Sequence, residues 1–567
     1  MTDTEQAEAR IESHDWPLRP WLLAALLGLA GVLIHLASDG HHNDPLRVAL
    51  AAFLFFAPIA AALSVEETDW QRPALFAALL GLVMAGLAWR AVQYGEYLPD
   101  EQYGFAAGVV ASLLALPLFQ AGFLKHRFAT PYADAHYHVW NDAIAGAGAV
   151  AFTGLSWLVL AILSELFQLL KIDLLRDLMN DEWFGWTFSG AAFGAALGTL
   201  KNQAKVLGTL QGVAMLVFSL LAVPLAAGLA LFLLATAISG PDVLWQATRS
   251  ATPVLLACAV GAFGLTNAVI RNSDAAMSSN RVMRGAAFVL AMVILPLALF
   301  AAVSMGLRLN QYGLAPERLW GLVAIAVACA FGLAYWVSLI RGRWAGWAQR
   351  VRHANLHLAA GVCVVAIVLA LPVFDFGAVS TRNQIARLDS GRVSAERFDY
   401  AALRWDFGEP GRKALAKLEK RTGKVGELAR AAQVQDTRPY RLPEGRQLRT
   451  AADFNLRMQP ADPALEAAVR AYLAQNQWDC EKQCVALDLG PAAGAVAGGS
   501  LRSVALVQDG SVQTLTLPLV APAGAPPVVA TPARPQVKLG PNSKVELREV
   551  TRRQVFIDGE PVGQVLD

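Results

Sequence analysis

Charged residues are scarce in this 567-residue chain: Asp, Glu, Lys and Arg make up 16% of it, against about 25% in an ordinary soluble protein. The shortage is confined to one part, because 45 of the 92 charged residues lie in residues 1–375 and 47 lie in the last 192. The first part therefore cannot be an ordinary soluble domain. No basic block stands out and the net charge is only +2, so the composition does not indicate a nucleic-acid partner.

Cysteine is also rare, with five residues, and the last 192 residues contain no histidine. Cys258, Cys329 and Cys363 lie in apolar stretches, where a free thiol packs as a small apolar group. Cys480 and Cys484 are the only cysteines near the C-terminus. A zinc site needs about four ligands. We therefore expect a disulfide between these two residues, with unpaired thiols as the alternative and a metal as the least favoured.

What the chain does have is long apolar runs. A helix of about 20 apolar residues crosses the hydrocarbon core of a bilayer. We predict eleven such spans, at 21–37, 46–65, 74–89, 103–123, 143–169, 183–200, 211–238, 251–270, 284–307, 319–340 and 355–374. The run 206–238 is too long for one untilted helix and too short for two with a loop. We interpret it as one helix kinked at Pro224, with two spans as the alternative.

The distribution of basic residues predicts the orientation. The loops and span ends on the side of the N-terminus hold 14 Lys and Arg residues, against 7 on the other side. This bias places the N-terminus in the cytoplasm. Eleven spans then place the C-terminus on the periplasmic side of a bacterial inner membrane. A disulfide can form in that compartment. The first 20 residues are polar and acidic, so the first span is expected to act as an uncleaved insertion signal.

The predicted fold class is an α-helical polytopic membrane protein with a C-terminal α+β soluble domain. Its parts are a cytoplasmic segment 1–20, a transmembrane domain 21–374, a periplasmic helical segment 375–435 and a small β-rich periplasmic domain 436–567.

Within the helical segment, Ser394 is predicted to cap a helix that runs to Trp405, and Gly408 with Pro410 to break it before a second helix at 412–420. In the β-rich domain we predict a helix at 463–475 and hairpins around Asp509-Gly510 and Asp558-Gly559. Between the hairpins, 518–541 is predicted to be an extended proline-rich linker.

Small residues and histidines each allow two interpretations. Gly190, Gly194 and Gly198 form one stripe of the sixth span, a spacing typical of close helix packing, with a substrate-lining face as the alternative. Four histidines are predicted to share the cytoplasmic side and are weak candidates for a metal site: His136, His138, His353 and His357. Interfacial histidines without such a role are commoner, so no metal and no other cofactor is predicted.

Two polar side chains stand within predicted spans. Burying such groups in lipid costs several kcal/mol unless they face protein or water. Glu165 lies near the outer end of the fifth span and Asn267 near the inner end of the eighth. Transport or proton coupling is one interpretation. The other, for Glu165, is a carboxylate that reaches the surface or pairs with Lys171.

Several motifs resemble those of the bacterial membrane family named domain of unknown function 4153. They include Trp140-Asn141, Phe152-Thr153-Gly154-Leu155-Ser156-Trp157, Asn267-Ala268 and the stretch from Arg308 to Arg318, which has Ala315 where the family usually has threonine. The resemblance covers roughly residues 100–425. Together with Glu165, it gives the candidate functional residues Trp140, Asn141, Asn267, Arg308, Tyr312, Gly313 and Arg318.

The resemblance implies an architecture and no activity, because the family is uncharacterised. Its members often carry a cysteine pair followed by an acidic stretch. Here the acidic residues are missing after Asp488, so a calcium loop is not expected.

Two classes of function follow from these features. One is a transporter or envelope-associated protein, and the other is a sensory or scaffolding protein whose tail binds a periplasmic protein or small molecule. An enzyme ranks third, because we find no catalytic constellation. A polar cavity reaching Glu165 and Asn267 would favour transport, whereas a solid bundle packed through the glycine stripe would favour a scaffold. The lipid bilayer is the one partner that the sequence identifies, and the oligomeric state stays open.

Overall fold

A computed structural model of the protein describes residues 16–40, 43–99, 101–240, 251–435, 438, 451–476, 479–480, 483–491, 501–508, 511–518, 553–557 and 560–566. The chain forms two compact units, residues 1–438 and residues 439–567. The first unit is helical, and the second combines one longer helix with two sheets.

Long apolar helices make up most of the first unit. They are α1 (Arg19–Ser38), α2 (Pro45–Ser64), α3 (Gln71–Tyr94), α4 (Glu101–Gln120), α5 (Tyr132–Leu169), α6 (Leu174–Asn180), α7 (Glu182–Asn202), α8 (Ala204–Ser239), α9 (Ala251–Ile270), α10 (Arg281–Tyr312), α11 (Pro316–Arg343) and α12 (Gly346–Ala370). Among the described residues, ten of these are long and apolar enough to cross a membrane; α6 and α7 are the exceptions. The stretch with Pro224 is one continuous helix, α8.

Several helices extend beyond the apolar runs that predicted them. Helix α5 begins at Tyr132, so His136 and His138 lie in a helix and the prediction of a loop there is wrong. Helix α10 continues to Tyr312 and α11 begins at Pro316, which shortens the predicted loop to three residues. Likewise, α11 and α12 meet at Arg343, whose φ of 48° turns the chain. Hydropathy detects only the lipid-facing part of a helix, whereas polar turns beyond it are stabilised by packing.

After the last span come four shorter helices, α13 (Phe376–Asp389), α14 (Tyr400–Trp405), α15 (Gly408–Leu418) and α16 (Lys424–Gln433). We call them the cap. Asp399, and not Ser394, caps α14 by accepting a hydrogen bond from the Ala402 amide at 3.0 Å. Gly408, predicted to break a helix, begins α15 with a φ of 62°. The Ser394 cap is therefore wrong. The break predicted at Gly408 is confirmed, but the second helix begins at Gly408 and not at residue 412.

The second unit contains a four-stranded sheet in the order β1 (Asn455–Gln459), β2 (Gln483–Pro491), β3 (Leu501–Gln508), β4 (Ser511–Pro518). Strands β1 and β2 are parallel and are connected through α17 (Pro463–Gln475), while β2, β3 and β4 are antiparallel. A separate hairpin joins β5 (Arg553–Ile557) to β6 (Glu560–Leu566). The pairing of both predicted hairpins is confirmed, although their turn residues lie outside the described residues.

The two cysteines of this unit lie within its core. The sulfur atoms of Cys480 and Cys484 are at disulfide-bonding distance, and both residues are fully buried beside Leu465 and Leu473. Cys484 is the second residue of β2, so the bond would tie the chain that follows α17 to the sheet. Residues 519–541 of the predicted linker lie outside the described residues.

Candidate functional site: polar contacts at the two ends of the helix bundle

Three side chains from different helices form a closed hydrogen-bonded ring, which we call the polar ring. The Asn267 amide donates to the Tyr335 hydroxyl at 2.9 Å, and this hydroxyl donates to Oδ1 of Asn355 at 2.8 Å. Nδ2 of Asn355 in turn donates to Oδ1 of Asn267 at 2.6 Å. All three residues are buried. Each polar group therefore has a partner within the bundle, which offsets the cost of removing it from water.

Arg352 lies one turn before Asn355 and joins α12 to the end of α9. Its guanidinium donates to the carbonyl oxygens of Ile270 at 2.6 Å and Arg271 at 3.0 Å and to the Asp274 carboxylate at 2.7 Å. Carbonyl oxygens at a helix C-terminus lack partners within the helix. A cation there satisfies them and also interacts favourably with the helix dipole. Arg352 thus holds α12 to the end of α9 and to the connection that follows it.

The beginning of α5 lies beside both groups of polar residues at this end. Tyr132 interacts with Asn355 and Arg352, and His136 lies near Arg352. His136 is buried, and neither ring nitrogen has a hydrogen-bond partner among the described residues. Its ring instead packs between those of Tyr132 and Trp140, with centroids 5.7 and 6.3 Å away.

A second group, the charged cluster, comprises Arg19, Gln120, Asp142 and Lys201. The Lys201 ammonium donates to the Leu63 carbonyl oxygen, and Gln120 donates to the same oxygen at 3.0 Å. Asp142 lies near Lys201 and Gln120. Arg19 bonds Asn202 at 3.3 Å. The bonds to Leu63 thus join the ends of α2, α4 and α7. The charge bias predicts that all of these ends lie on the cytoplasmic side.

At the opposite end, the turn between α10 and α11 is clamped by the cap. Gln384 donates to the carbonyl oxygens of Tyr312 at 2.9 Å and Leu314 at 2.8 Å. Arg387, which is buried, donates to Asn310 at 3.1 Å and Gln311 at 2.7 Å. These bonds use backbone carbonyls that a three-residue turn leaves without partners.

Glycine is needed at the first position of this turn. Gly313 has a φ of 74°, and a Cβ there would lie 2.7 Å from Cδ of Arg387 and 2.8 Å from Oδ1 of Asn383. Arg318 donates to the Gly313 carbonyl at 2.8 Å and lies over the Tyr312 ring, 5.5 Å from its centroid. The motif residues Tyr312, Gly313 and Arg318 are thus brought together, whereas Arg308 lies half-buried a turn earlier.

The cap also contacts the connection between α3 and α4. The Arg412 guanidinium lies over the Tyr97 ring at 5.0 Å, and Gly408 is packed so closely that a Cβ would overlap the Tyr97 carbonyl oxygen. Trp320 of α11 stacks on Tyr103 and meets Phe376 edge to face. The cap therefore spans two connections on the same face of the bundle.

Asp406 is an ionisable residue of the cap, directly after the end of α14. Burial raises the pKa of the Asp406 carboxyl group, while the nearby Arg438, which donates a hydrogen bond to it, acts in the opposite direction. The ion pair thus offsets part of the cost of burying the carboxylate.

Of the remaining predicted residues, Glu165 and Asn141 lie apart from these contacts, and Trp140 meets them only at the His136 ring. Glu165 lines an open cleft of about 410 Å³ with Arg176 and Asn180, next to α6. Trp140 packs on Phe218 at 5.9 Å, and Asn141 is half-buried on α5.

The histidines of α12 make local contacts. His357 stacks on Phe128, 5.2 Å away, and its Nδ1 lies 2.7 Å from the His353 carbonyl oxygen. In the part of the chain that the structure describes, no group of three or more His, Cys, Asp or Glu could hold a metal ion.

The glycine stripe lies against α1. A Cβ on Gly190 would overlap the Leu27 carbonyl oxygen, and one on Gly194 would overlap the Leu23 carbonyl oxygen. A Cβ on Gly198 would lie 2.6 Å from Cα of Pro20. Helices α1 and α7 therefore run antiparallel with their backbones in direct contact.

The sequence reasoning missed Tyr335, Asn355, Arg352, Asp142 and Lys201. Asn355 and Lys201 stand at the edges of apolar runs, where a polar residue normally faces water. One sequence signal could have indicated the site. Arg352 and Asn355 are two polar residues one helical turn apart at the start of a predicted span.

Long apolar helices joined by short turns, with polar contacts concentrated at their ends, are the features of a polytopic membrane protein. The chain belongs to the family described as Domain of unknown function (DUF4153), whose profile matches residues 46–418. The resemblance inferred from the motifs is therefore confirmed, and it begins earlier in the chain than they indicated. Neither a curated protein nor a solved structure matches the chain.

Proposed function

We propose that this protein is a scaffold of the bacterial envelope, which anchors its C-terminal unit in the periplasm by means of a rigid bundle in the inner membrane. The observation that carries the proposal is the clamp of the cap on the turn between α10 and α11. Four hydrogen bonds from Gln384 and Arg387 hold that turn. A gate needs a segment that can open, whereas a clamp of this kind favours a fixed support.

The polar ring supports the same function. Asn267 uses its amide nitrogen and oxygen for Tyr335, Asn355 and the Phe263 carbonyl, 2.8 Å away. A substrate or ion at this position would have to break that set of bonds. The cost favours a structural role for the ring over a role in a transport pathway.

Eleven spans, and with them a periplasmic C-terminus, are supported by the contact between α1 and α7. Helix α1 is apolar and long enough to cross a membrane. Helix α7 lies antiparallel along its length, from Trp186 beside Gly31 to Gly198 beside Pro20. A helix with that placement extends as far through the bilayer as its partner. Its glycine, threonine and serine content lowers its hydropathy without shortening it.

Transport is the second candidate function, and the Glu165 cleft is the observation that favours it. The carboxylate faces an open space together with Arg176. A charged group near a span is by default a functional hypothesis. The cleft lies apart from the polar ring, however, and so does not extend the hypothesis into a pathway.

The experiment is complementation of a deletion strain under envelope stress. We expect the full chain to restore growth and a chain ending at Arg438, outside the second unit, to fail although it accumulates in the membrane. We also expect Glu165→Gln to restore growth. Full rescue by the shortened chain would contradict the scaffold, and loss of rescue with Glu165→Gln alone would favour transport.

A further inference from the structure

A second cleft, of about 290 Å³, lies where α11 and α12 meet. Its lining consists of Val337, Ser338, Arg341, Arg350 and His353. Two guanidinium groups and an imidazole thus surround one concave space, and none of the described residues that line it is acidic. We propose that this cleft binds the phosphate-bearing headgroup of an anionic phospholipid in the adjacent leaflet. The proposal does not depend on the scaffold function.

The two guanidinium groups of the cleft lack an acidic partner in the part of the chain that the structure describes. Among the described residues, neither Arg341 nor Arg350 makes an ion pair or a side-chain hydrogen bond, and both are exposed. Arg352, on the same helix, differs because it is buried and its donors are used by Ile270, Arg271 and Asp274. A guanidinium group binds phosphate oxygens in a bidentate manner. Two of them facing one space therefore favour a phosphate-bearing ligand.

The surroundings of the cleft favour a lipid over free phosphate. Leu333, Val337 and Ile340 lie on one stripe of α11 and are 58%, 41% and 72% exposed. Val337 belongs both to this stripe and to the cleft. A ligand with its phosphate at the arginines would thus have its acyl chains along an apolar helix face. Basic pockets between spans bind anionic headgroups in this way.

The ring of hydrogen bonds below the cleft gives it fixed walls. Ser338 lies one turn from Tyr335 and is buried, with its hydroxyl bonded to the Ala334 carbonyl at 2.8 Å. Asn355, two residues from His353, is held by Tyr335. Because the two helices are joined at this level, the spacing between Arg341 and Arg350 is set before a ligand arrives, which lowers the entropic cost of binding.

The test is native mass spectrometry of the purified full-length protein with added phosphatidylglycerol, phosphatidylcholine or inorganic phosphate. We expect phosphatidylglycerol to be retained in preference to phosphatidylcholine. Arg341→Gln combined with Arg350→Gln should weaken its binding at least about tenfold, ~1.4 kcal/mol. The matched control is the single variant Arg343→Gln, whose lipid binding is compared with that of the single variant Arg350→Gln. Both remove one positive charge near the junction of α11 and α12, but Arg343 does not line the cleft.

Equal losses with Arg343→Gln and Arg350→Gln would overturn the proposal, because they would indicate attraction by bulk charge. Undiminished binding by the double variant would also overturn it, as would displacement of the lipid by an equal concentration of inorganic phosphate. His353→Gln provides a second variant that leaves both arginines in place, and it should weaken binding less than the double variant. Melting temperatures confirm that each variant is folded.

Discussion

Two helix interfaces in this bundle are built from opposite chemistry. Helices α1 and α7 meet through glycines that bring their backbones together, whereas α9, α11 and α12 are joined by the side chains of the polar ring and Arg352. Lipid is as apolar as the helices, so the hydrophobic effect drives helices together only weakly. The bundle therefore uses close packing at one interface and matched donors and acceptors at the other. The first should tolerate no added atom, and the second no missing partner.

The largest effect should come from filling the glycine interface. Gly194→Leu places a side chain where the Leu23 carbonyl already lies, and backbone cannot move aside cheaply. We expect destabilisation of at least ~3 kcal/mol, seen as a lower melting temperature in detergent and a reduced yield. Gly185→Leu is the control, because a Cβ there meets nothing within 4 Å. Equal losses in both variants would contradict direct backbone contact.

A smaller effect is expected from removing the cation that joins α9 to α12. Arg352→Gln leaves the Ile270 and Arg271 carbonyls and the Asp274 carboxylate without their shared donor. Since Asp274 is itself largely exposed, we expect a cost of about 2 kcal/mol in the free energy of unfolding. Arg350→Gln, on the exposed side of the same helix, should change it by less than ~0.5 kcal/mol. If the two variants were equally stable, the anchoring role of Arg352 would be disproved.

The polar ring itself should contribute less for each bond. Tyr335→Phe removes the hydroxyl that accepts a hydrogen bond from Asn267 and donates one to Asn355. We expect the free energy of unfolding to fall by about 1 kcal/mol. In a double-mutant cycle of Asn267→Ala and Asn355→Ala, the two effects should not add, because both residues belong to one ring. Strictly additive effects would show that Asn267 and Asn355 are not energetically coupled through the ring.

The smallest change should be local to the clamp. Gln384→Ala removes two hydrogen bonds to the turn at Tyr312 and Leu314. We expect amide exchange of residues 312–315 to become about fivefold faster, ~1 kcal/mol, with little change in global stability. Arg382→Ala, an exposed residue on the same helix, is the control. Unchanged exchange in Gln384→Ala would mean that the clamp does not restrain the turn.

The apolar runs were sufficient to predict the helices, because the length of a span is set by the bilayer. They did not predict where the helices end. The polar turns Tyr132–Asp142 and Leu307–Tyr312 extend their helices where other helices and the cap pack against them, as Arg387 does on the carbonyl oxygens of Asn310 and Gln311. Such contacts are distant in sequence, as Asn267 and Asn355 are.

For the candidate site, the motifs indicated Asn267, Tyr312, Gly313 and Arg318. They did not indicate Arg387, which contacts the last part of α10 from a helix 76 residues away along the chain. The separation of the charged cluster from the polar ring was likewise unpredictable, because Tyr132 of α5 interacts with Asn355 of the ring, whereas Asp142 of the same helix lies near Lys201 of the cluster.

We propose that α7 is an eleventh span, and that this odd number places the two termini on opposite sides of the inner membrane. Paired reporter fusions, at the N-terminus and after Asp567 of the full-length protein, test the proposal. We expect a cytoplasmic signal at the N-terminus and a periplasmic signal at the C-terminus. Two signals from the same side would contradict it.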